Sequence, residues 1–291
     1  MKKKMLGVIL TFVMLFTACT SPVENQNEGV SVGEVFEYYQ TANDLIEGLR
    51  TVDMVNYLDI EIQIGGEEFS MPMTNKVTAN TISNTEIEYA AAMIMPLDDG
   101  ELVSETYYKD GYMYMNMYGE KFKSEVPAED LIDEMLVSRA LDFEEDAIRT
   151  HFMVDNENGE GKEIRMMLNG AIMTETLSQI TAALRSQIDL EGLMEFTYSD
   201  VNLTLITDKE HRMKNFAFDF VMTFVIDGEE GSAIFKTTNE ILATENITVN
   251  FPPDLALYTD MADFGLDFYM YDDEYYEDEY YEGDEQGEQN Q

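Results

Sequence analysis

The side chain best placed for covalent chemistry is that of Cys19. It is the only cysteine in the 291-residue chain, so it cannot form a disulfide within the chain. Three lysines follow Met1, and an uncharged, mostly apolar run then extends from Met5 to Ala18. A basic start, a short apolar run and small residues at its end are typical of a secretory signal peptide. The run is shorter than the roughly 20 residues of a transmembrane helix, so residues 1–18 are predicted to be a cleaved signal peptide.

The residues directly before Cys19 indicate what happens to its thiol. The sequence Leu15-Phe16-Thr17-Ala18-Cys19 resembles the lipobox of bacterial lipoproteins, although Phe16 stands where that motif usually has an aliphatic residue. The resemblance implies cleavage before Cys19 and attachment of a diacylglycerol to its sulfur, with palmitate among the acyl chains. Two acyl chains are enough for stable attachment to a bilayer. The other interpretation is an ordinary secreted protein with a free thiol.

The charge of the chain limits its partners. The chain has 59 acidic and 17 basic residues and a formal net charge of −42, and loss of the signal peptide removes three of the lysines. The phosphates of nucleic acids and the headgroups of an anionic bilayer would be repelled. We therefore expect no nucleic-acid partner. We expect attachment to the extracytoplasmic face of the cell membrane through the lipid anchor instead.

Composition divides the rest of the chain into three parts. Residues 19–34 are polar and contain proline and glycine, which predicts a lipidated N-terminus and a flexible tether. Residues 35–259 are long and apolar enough for one well-buried domain. Residues 260–291 are rich in acids and tyrosine, and like charge of this density predicts a disordered tail.

Helices are predicted at three places in this domain. Residues 34–50 and 171–188 have apolar side chains three and four positions apart, which predicts one buried face for each helix. Pro127, followed by acids and then by Leu131, Ile132, Met135 and Leu136, predicts the start of another helix. Residues 142–154 fit neither a helix nor a strand clearly.

Strands account for most of the domain. Segments with an apolar period of two are separated by turns such as Lys109-Asp110-Gly111, which predicts antiparallel hairpins. Pro72 predicts an edge or a bulge within its strand, and residues 245–251 predict the last strand. Nine or more strands with a few helices predict an α+β fold. In this fold one strongly curved antiparallel sheet, a half-open β-barrel, wraps over the helices.

The strand predicted at residues 112–118 carries methionine and tyrosine in alternation. A period of two places Met113, Met115 and Met117 on one face and the tyrosines on the other. Three interpretations remain open. Protein covers both faces, or the methionines line a cavity for a flexible apolar ligand because thioethers repack easily, or their soft sulfur atoms hold Cu(I). No histidine or cysteine lies nearby in the sequence, which weakens the copper interpretation.

A second apolar stripe follows the strand predicted at residues 215–226. Its members are Phe216, Phe218, Phe220, Met222 and Phe224, which share one face. The stripe fits an ordinary core and fits the wall of a lipid cavity equally well. Together with the three methionines, these residues are the predicted ligand-binding residues.

Few residues suggest catalysis or metal binding. His151 and His211 are the only histidines, and the chain contains no G-x-S-x-G, H-E-x-x-H or phosphate-binding glycine loop. The acidic, glycine-containing segments 155–161 and 227–231 lack the spacing of a calcium loop. We therefore expect neither an enzyme nor a metal site, and no cofactor.

The order of these features resembles that of the LolA/LppX-like lipoprotein carriers over roughly residues 35–255. The hairpin YYKDGYMYM at 107–115 and the closing segment 246–252 are similar to those of Gram-positive bacterial lipoproteins of this kind. The resemblance implies a half-open barrel with helices over its concave face and a hydrophobic cavity between them. Carriers of this shape bind acyl chains or lipoproteins, so we expect the chain to bind an apolar or lipidic ligand. A broader hypothesis is that it also carries this ligand. The alternative is a surface protein-interaction module without a small ligand, whose protein partner the sequence does not identify.

Overall fold

The computed structural model describes residues 29–261 except 84–85, 98–99, 118, 129–140, 157–158, 183, 186–194 and 227. The predicted signal peptide, Cys19, most of the tether and the tail beyond Met261 lie outside the described residues. So do Leu131 to Leu136 of the helix predicted at Pro127. No helix within the described ranges is long and apolar enough to cross a membrane.

The described chain begins with helix α1 (Val32–Glu47), whose start is fixed by a capping box. The hydroxyl of Ser31 accepts a hydrogen bond from the backbone N–H of Glu34 (3.3 Å), and the backbone N–H of Ser31 donates to the Glu34 carboxylate (2.7 Å). The carboxylate of Glu34 accepts hydrogen bonds from the backbone N–H and from the hydroxyl of Ser31, and these two bonds lower its pKa. Because the cap is at Ser31, the helix begins and ends earlier than the predicted 34–50, and residues 32–34 belong to it rather than to the tether.

A single sheet dominates the structure, with thirteen strands in the described part of the chain. Its strands are β1 (Thr51–Ile64), β2 (Glu67–Ser83), β3 (Glu86–Leu97), β4 (Gly100–Lys109), β5 (Tyr112–Met117), β6 (Glu120–Glu125), β7 (Ile148–Asp155), β8 (Lys162–Leu168), β9 (Thr197–Tyr198), β10 (Val201–Thr207), β11 (Met213–Ile226), β12 (Glu229–Ala243) and β13 (Thr259–Asp260). Their order is β13-β6-β5-β4-β3-β2-β1-β12-β11-β10-β8-β7, with β9 paired to β11. Every pairing is antiparallel except that of β13 with β6. The predicted fold class, an α+β fold built on a curved, open antiparallel sheet, is confirmed.

A second helix, α2 (Thr174–Ile180), begins three residues after the predicted start at 171, and its Leu177 is fully buried. The segment 142–154 contains a 3₁₀ turn at Glu145–Ala147 and then β7. Ala147, in that turn, is fully buried.

Pro72 lies in a strand that is interior for most of its length. Its partner on β1 is Asp59, whereas the pairing of β2 with β3 begins only at Thr74. The first part of β2 therefore has a neighbour on one side only, and proline there removes no hydrogen bond to β3. The prediction of an edge holds for this end of β2 but not for the rest of the strand.

The strand predicted at residues 245–251 is not formed. Residues 244–250 have no strand pairing in the structure, and Asn246 has a positive φ of 57°. The pattern has the period of a strand, but β12, which precedes it, already lies between β1 and β11. The chain instead continues from residue 244 to residue 261 as a segment whose regular structure is a 3₁₀ turn at Leu255–Leu257 and the two residues of β13, and we call this segment the C-terminal strap.

Two groups of buried side chains lie on the same side of the sheet. The larger group joins α1 and α2 to the strands from β8 to β1 and includes Tyr39, Leu177, Leu205, Phe220 and Phe235. The smaller group lies over β3 to β5 and consists of Ile87, Tyr108, Met113, Met115 and Val126. The sheet between these two clusters positions the candidate site.

Candidate ligand-binding face

One face of the sheet is continuous from β8 to β6, and we call it the inner face. Residues directly opposite each other on antiparallel strands project to the same side. The register places Phe220 opposite Phe235, Phe235 opposite Ile60, and Ile60 opposite Met71. Among the described residues of this face, none between the strand ends is charged. In a chain so rich in acids, this face is suited to apolar contacts.

The phenylalanine stripe of β11 lies in the larger buried cluster. Phe216, Phe220, Met222 and Phe224 are buried, and Phe218 packs against the cluster while partly exposed. The ring of Phe220 stacks on that of Phe235 with centroids 4.8 Å apart and on that of Phe218 at 6.3 Å. The structure therefore brings the five predicted residues together under the helices.

The methionines of β5 lie in the smaller cluster, on the same inner face as the stripe of β11. Met113 and Met115 are buried, whereas Met117 is 43% exposed. On the outer face of the strand, the ring of Tyr114 meets that of Tyr258 edge to face at 5.5 Å. Protein thus packs on both faces of most of β5, which is the arrangement expected from the first of the three interpretations.

An apolar, partly exposed area of the inner face lies between the two clusters, and two of its members, Met71 and Met73, pack against the larger cluster. We call it the methionine patch, and it consists of Phe69, Met71 and Met73 of β2, Met93 and Met95 of β3, Leu102 of β4 and Met117 of β5. Phe69 is 51% exposed and Met93 is 37% exposed. Adjacent exposed apolar side chains usually mark a binding surface.

The sequence analysis did not select the methionine patch as a site, although the alternation in β3 places Met93 and Met95 on one face. The period of two in β3 was a usable signal. Met71, Met73 and Leu102 were missed because their exposure depends on which parts of the face the helices and Val126 cover. That information lies in long-range contacts.

A polar row borders the methionine patch. On adjacent strands Asn239, Asn56 and Asn75 stand side by side, and Asn75 is opposite Met93 of the patch. The amide nitrogen of Asn56 donates to the hydroxyl of Thr237 (2.9 Å) and to the side-chain oxygen of Asn239 (2.8 Å). All three asparagines are partly exposed.

The outer face carries a groove of about 280 Å³ near the start of β2. Its walls include Tyr57, Pro72, Thr74, Pro96 and Thr238. Lys236 also lines it and donates a hydrogen bond to Glu61 (2.5 Å), which raises the pKa of the lysine. The groove is on the side of the sheet opposite to the methionine patch, so a ligand would occupy one or the other.

The C-terminal strap covers the outer face of β4 to β6. The ring of Phe251 lies 6.4 Å from that of Tyr107, and the ammonium group of Lys109 lies 4.6 Å from the Phe251 ring. Asp254 forms an ion pair with Lys121. Tyr258 is buried beside this pair, and burial raises its pKa.

Metal-binding groups are sparse where the structure describes the chain. Within those residues, no three histidine, cysteine, aspartate or glutamate side chains gather so that they could hold an ion. His151 is on β7, where its Nε2 lies 3.0 Å from the backbone oxygen of Val30. His211 is in the turn before β11 and has a positive φ of 63°.

Comparisons with known proteins return structures but no family. No family model matches the chain, and no curated protein matches it in sequence. Solved structures that it is similar to include LprF from Mycobacterium bovis (10% identity, 76% of this chain and 97% of that chain, TM-score 0.39). Others are a DUF1329 family protein from Desulfovibrio piger (11%, 74% and 95%, TM-score 0.26) and the LolA superfamily protein NE2245 from Nitrosomonas europaea (11%, 80% and 99%, TM-score 0.20).

The matches therefore include a member of the LolA superfamily, the group that the sequence resembles. With identities near 10% and TM-scores of 0.39 or less, they say nothing about a ligand of this chain. The site is defined by its own geometry.

Proposed function

We propose that this chain is a lipid-anchored extracytoplasmic lipoprotein that binds an apolar or lipidic ligand on the inner face of its sheet. The observation that supports the proposal is the methionine patch, an uncharged and partly exposed area of that face. An acyl chain placed there would bury apolar surface at about 25 cal/mol per Å².

The composition of the patch suits a ligand of variable shape. Five of its seven side chains are methionines, whose unbranched thioethers adapt to different surfaces. The ligand-binding residues that were predicted from the sequence lie on either side of the patch. On β5, Met113 and Met115 belong to the smaller cluster. On β11, the larger cluster and the side chains packed against it include Phe216, Phe218, Phe220, Met222 and Phe224. In the proposal, Met117 contacts the ligand directly, and the buried residues support the wall.

Native mass spectrometry of the chain purified from its own host tests this function with two matched variants. Met93→Glu places a charge in the patch, and Val103→Glu places one on the outer face of the next strand at a residue of similar exposure (37% and 40%). Lipid should co-purify with the parent and with Val103→Glu, and at least about tenfold less with Met93→Glu, because an unpaired carboxylate would have to be desolvated. Equal loss in both variants would contradict binding on the inner face.

Attachment through Cys19 is part of the proposal and has its own test. Cys19→Ser should abolish labelling of the protein by a fatty-acid analogue, and the precursor should stay uncut or the protein should be released from the membrane. Cys19 is the only residue that can carry a thioether-linked lipid, because the chain has no other cysteine. Unchanged labelling and membrane retention would rule out the anchor.

A second candidate function, a protein-interaction module, is favoured by the outer groove. Pro72, Pro96 and Tyr57 give it rigid, partly apolar walls, and Tyr57 is exposed. Absence of any co-purified lipid from the parent would favour this function.

A further inference from the structure

The three asparagines of the polar row stand out on the inner face. Asparagine is disfavoured in strands, and a buried polar group without a hydrogen bond costs free energy. Here Asn239, Asn56 and Asn75 occupy directly opposite positions on β12, β1 and β2, at the border of the methionine patch. In the neighbouring row Leu58 and Met73 are apolar, and the polar member, Thr237, accepts a hydrogen bond from Asn56.

Some of the donors and acceptors of the three asparagines form hydrogen bonds within the protein, and others do not. Asn56 donates to Thr237 and Asn239, so its own carboxamide is held in one orientation. Asn75 makes no side-chain hydrogen bond with any described residue. Its carboxamide therefore presents both a donor and an acceptor next to Met93.

We infer that the ligand is an amphiphile whose polar group is uncharged, such as a diacylglycerol-type lipid with hydroxyl or ester groups. This inference rests on the proposed function, since it places the apolar chains of the ligand on the methionine patch. The polar group of the ligand lies at Asn75, beside the hydrogen bonds of Asn56.

The charge of the face selects against other lipids. No lysine or arginine among the described residues of the inner face lies between the strand ends, so a phosphate or a carboxylate would lose its hydration without gaining a counter-charge. A chain with a net charge of −42 would in addition repel an anionic headgroup. The residues directly opposite Asn75 are Asn56 and Met93, so a cationic headgroup there would find no carboxylate beside it, and Glu120 is opposite Met117 at the end of β6.

Displacement of Nile red, an uncharged dye, from residues 19–291 carrying Cys19→Ser measures this selectivity. Dioleoylglycerol should displace the dye at a concentration at least about tenfold lower than dioleoylphosphatidylglycerol, which has the same acyl chains. Asn75→Leu should weaken dioleoylglycerol about tenfold, the effect of one lost hydrogen bond in a desolvated site. The affinity for Nile red, which needs only the patch, should be unchanged.

Two further variants control for folding and position. Asn75→Asp keeps the size of the side chain and removes its donors, so it should weaken dioleoylglycerol as well. Asn80→Leu, on the outer face of the same strand, should change neither lipid. Equal displacement by the two lipids, or full affinity of Asn75→Leu for dioleoylglycerol, would overturn the inference while leaving the binding function intact. Failure of the parent to bind Nile red and both lipids would overturn the proposed function itself.

Discussion

Phe220 and Met93 lie on the same face of one sheet, yet they differ in what covers them. Phe220 is 1% exposed, stacked between Phe218 and Phe235 in the cluster that contains the helices. Met93 is opposite Ser104 and is open. The role of an apolar residue on this face therefore depends on its position along the sheet and not on its type.

Truncation of the two kinds of residue should have different costs. Phe220→Ala should lower the free energy of unfolding by about 3–5 kcal/mol, because it removes a buried ring and leaves a cavity. Phe69→Ala, in the open patch, should cost under about 1 kcal/mol. Urea denaturation of both variants measures the difference, and a loss of only about 1–2 kcal/mol for Phe220→Ala would indicate that its ring lines an open cavity.

For single residues, the sequence predicted which side of the sheet a side chain is on, but it did not predict which side chains other parts of the chain bury. The alternation of Met113, Met115 and Met117 correctly predicted a shared face. Burial of the first two depends on Val126 and Ile87, which come from other parts of the chain. The turn at Asp110 and Gly111 was predictable because both residues tolerate a positive φ, and they have values of 53° and 84°.

Among the elements, the C-terminal strap is held to the outer face by a small number of contacts. The Lys121–Asp254 pair and the ring of Tyr258 join it to β5 and β6, and β13 then adds two residues to the edge of β6. The hydrogen bond with Lys121 lowers the pKa of Asp254, and the same bond raises the pKa of Lys121.

The strap should loosen in acid. Because the pKa of Asp254 is lower in the folded chain than its ordinary value of 3.8, the contribution of the pair is complete above that value and is lost as the pH falls through the lowered one. Amide chemical shifts of residues 255–260, followed by NMR on acidification, should titrate with a midpoint below 3.8. In Asp254→Asn this titration should be absent. A midpoint at or above the ordinary value would show that the pair does not hold the strap.

The C-terminal strap also shows that an alternating pattern alone does not predict a strand. Residues 245–251 alternate as a strand does, but a strand requires an unoccupied edge, and β12 has neighbours on both sides. By contrast, the capping box at Ser31 and Glu34 is local, and sequence reasoning placed that helix to within a few residues.

For the whole molecule, the α+β class followed from hairpins and alternation, because those signals are local. The order of the strands did not follow, since β1 and β12 are neighbours although Asn56 and Asn239 are 183 residues apart. Neither sequence segment contains a signal that predicts pairing with the other. For the same reason, the partial exposure of the methionine patch could be recognised only in three dimensions.

Deletion of the acidic tail tests whether the tail contributes to the stability of the domain. Deletion of residues 262–291 should leave the melting temperature nearly unchanged, because a segment with so many like charges is not expected to pack on an acidic domain. Deletion from residue 254 onward also removes buried Tyr258 and β13, so it should lower the melting temperature by several degrees. If the shorter deletion has an equally large effect, the tail packs on the body of the protein.

The pairing of β1 with β12 also has a consequence for how the chain acquires its structure. These two strands are in the middle of the sheet, so the halves on either side join only when residues near 53 and 243 meet. Closing so long a loop is slow, and it cannot begin before β12 has been synthesised. Under the proposed function the chain passes through a membrane channel before it folds, and such a delay suits that order of events. Here the delay comes from strand order alone.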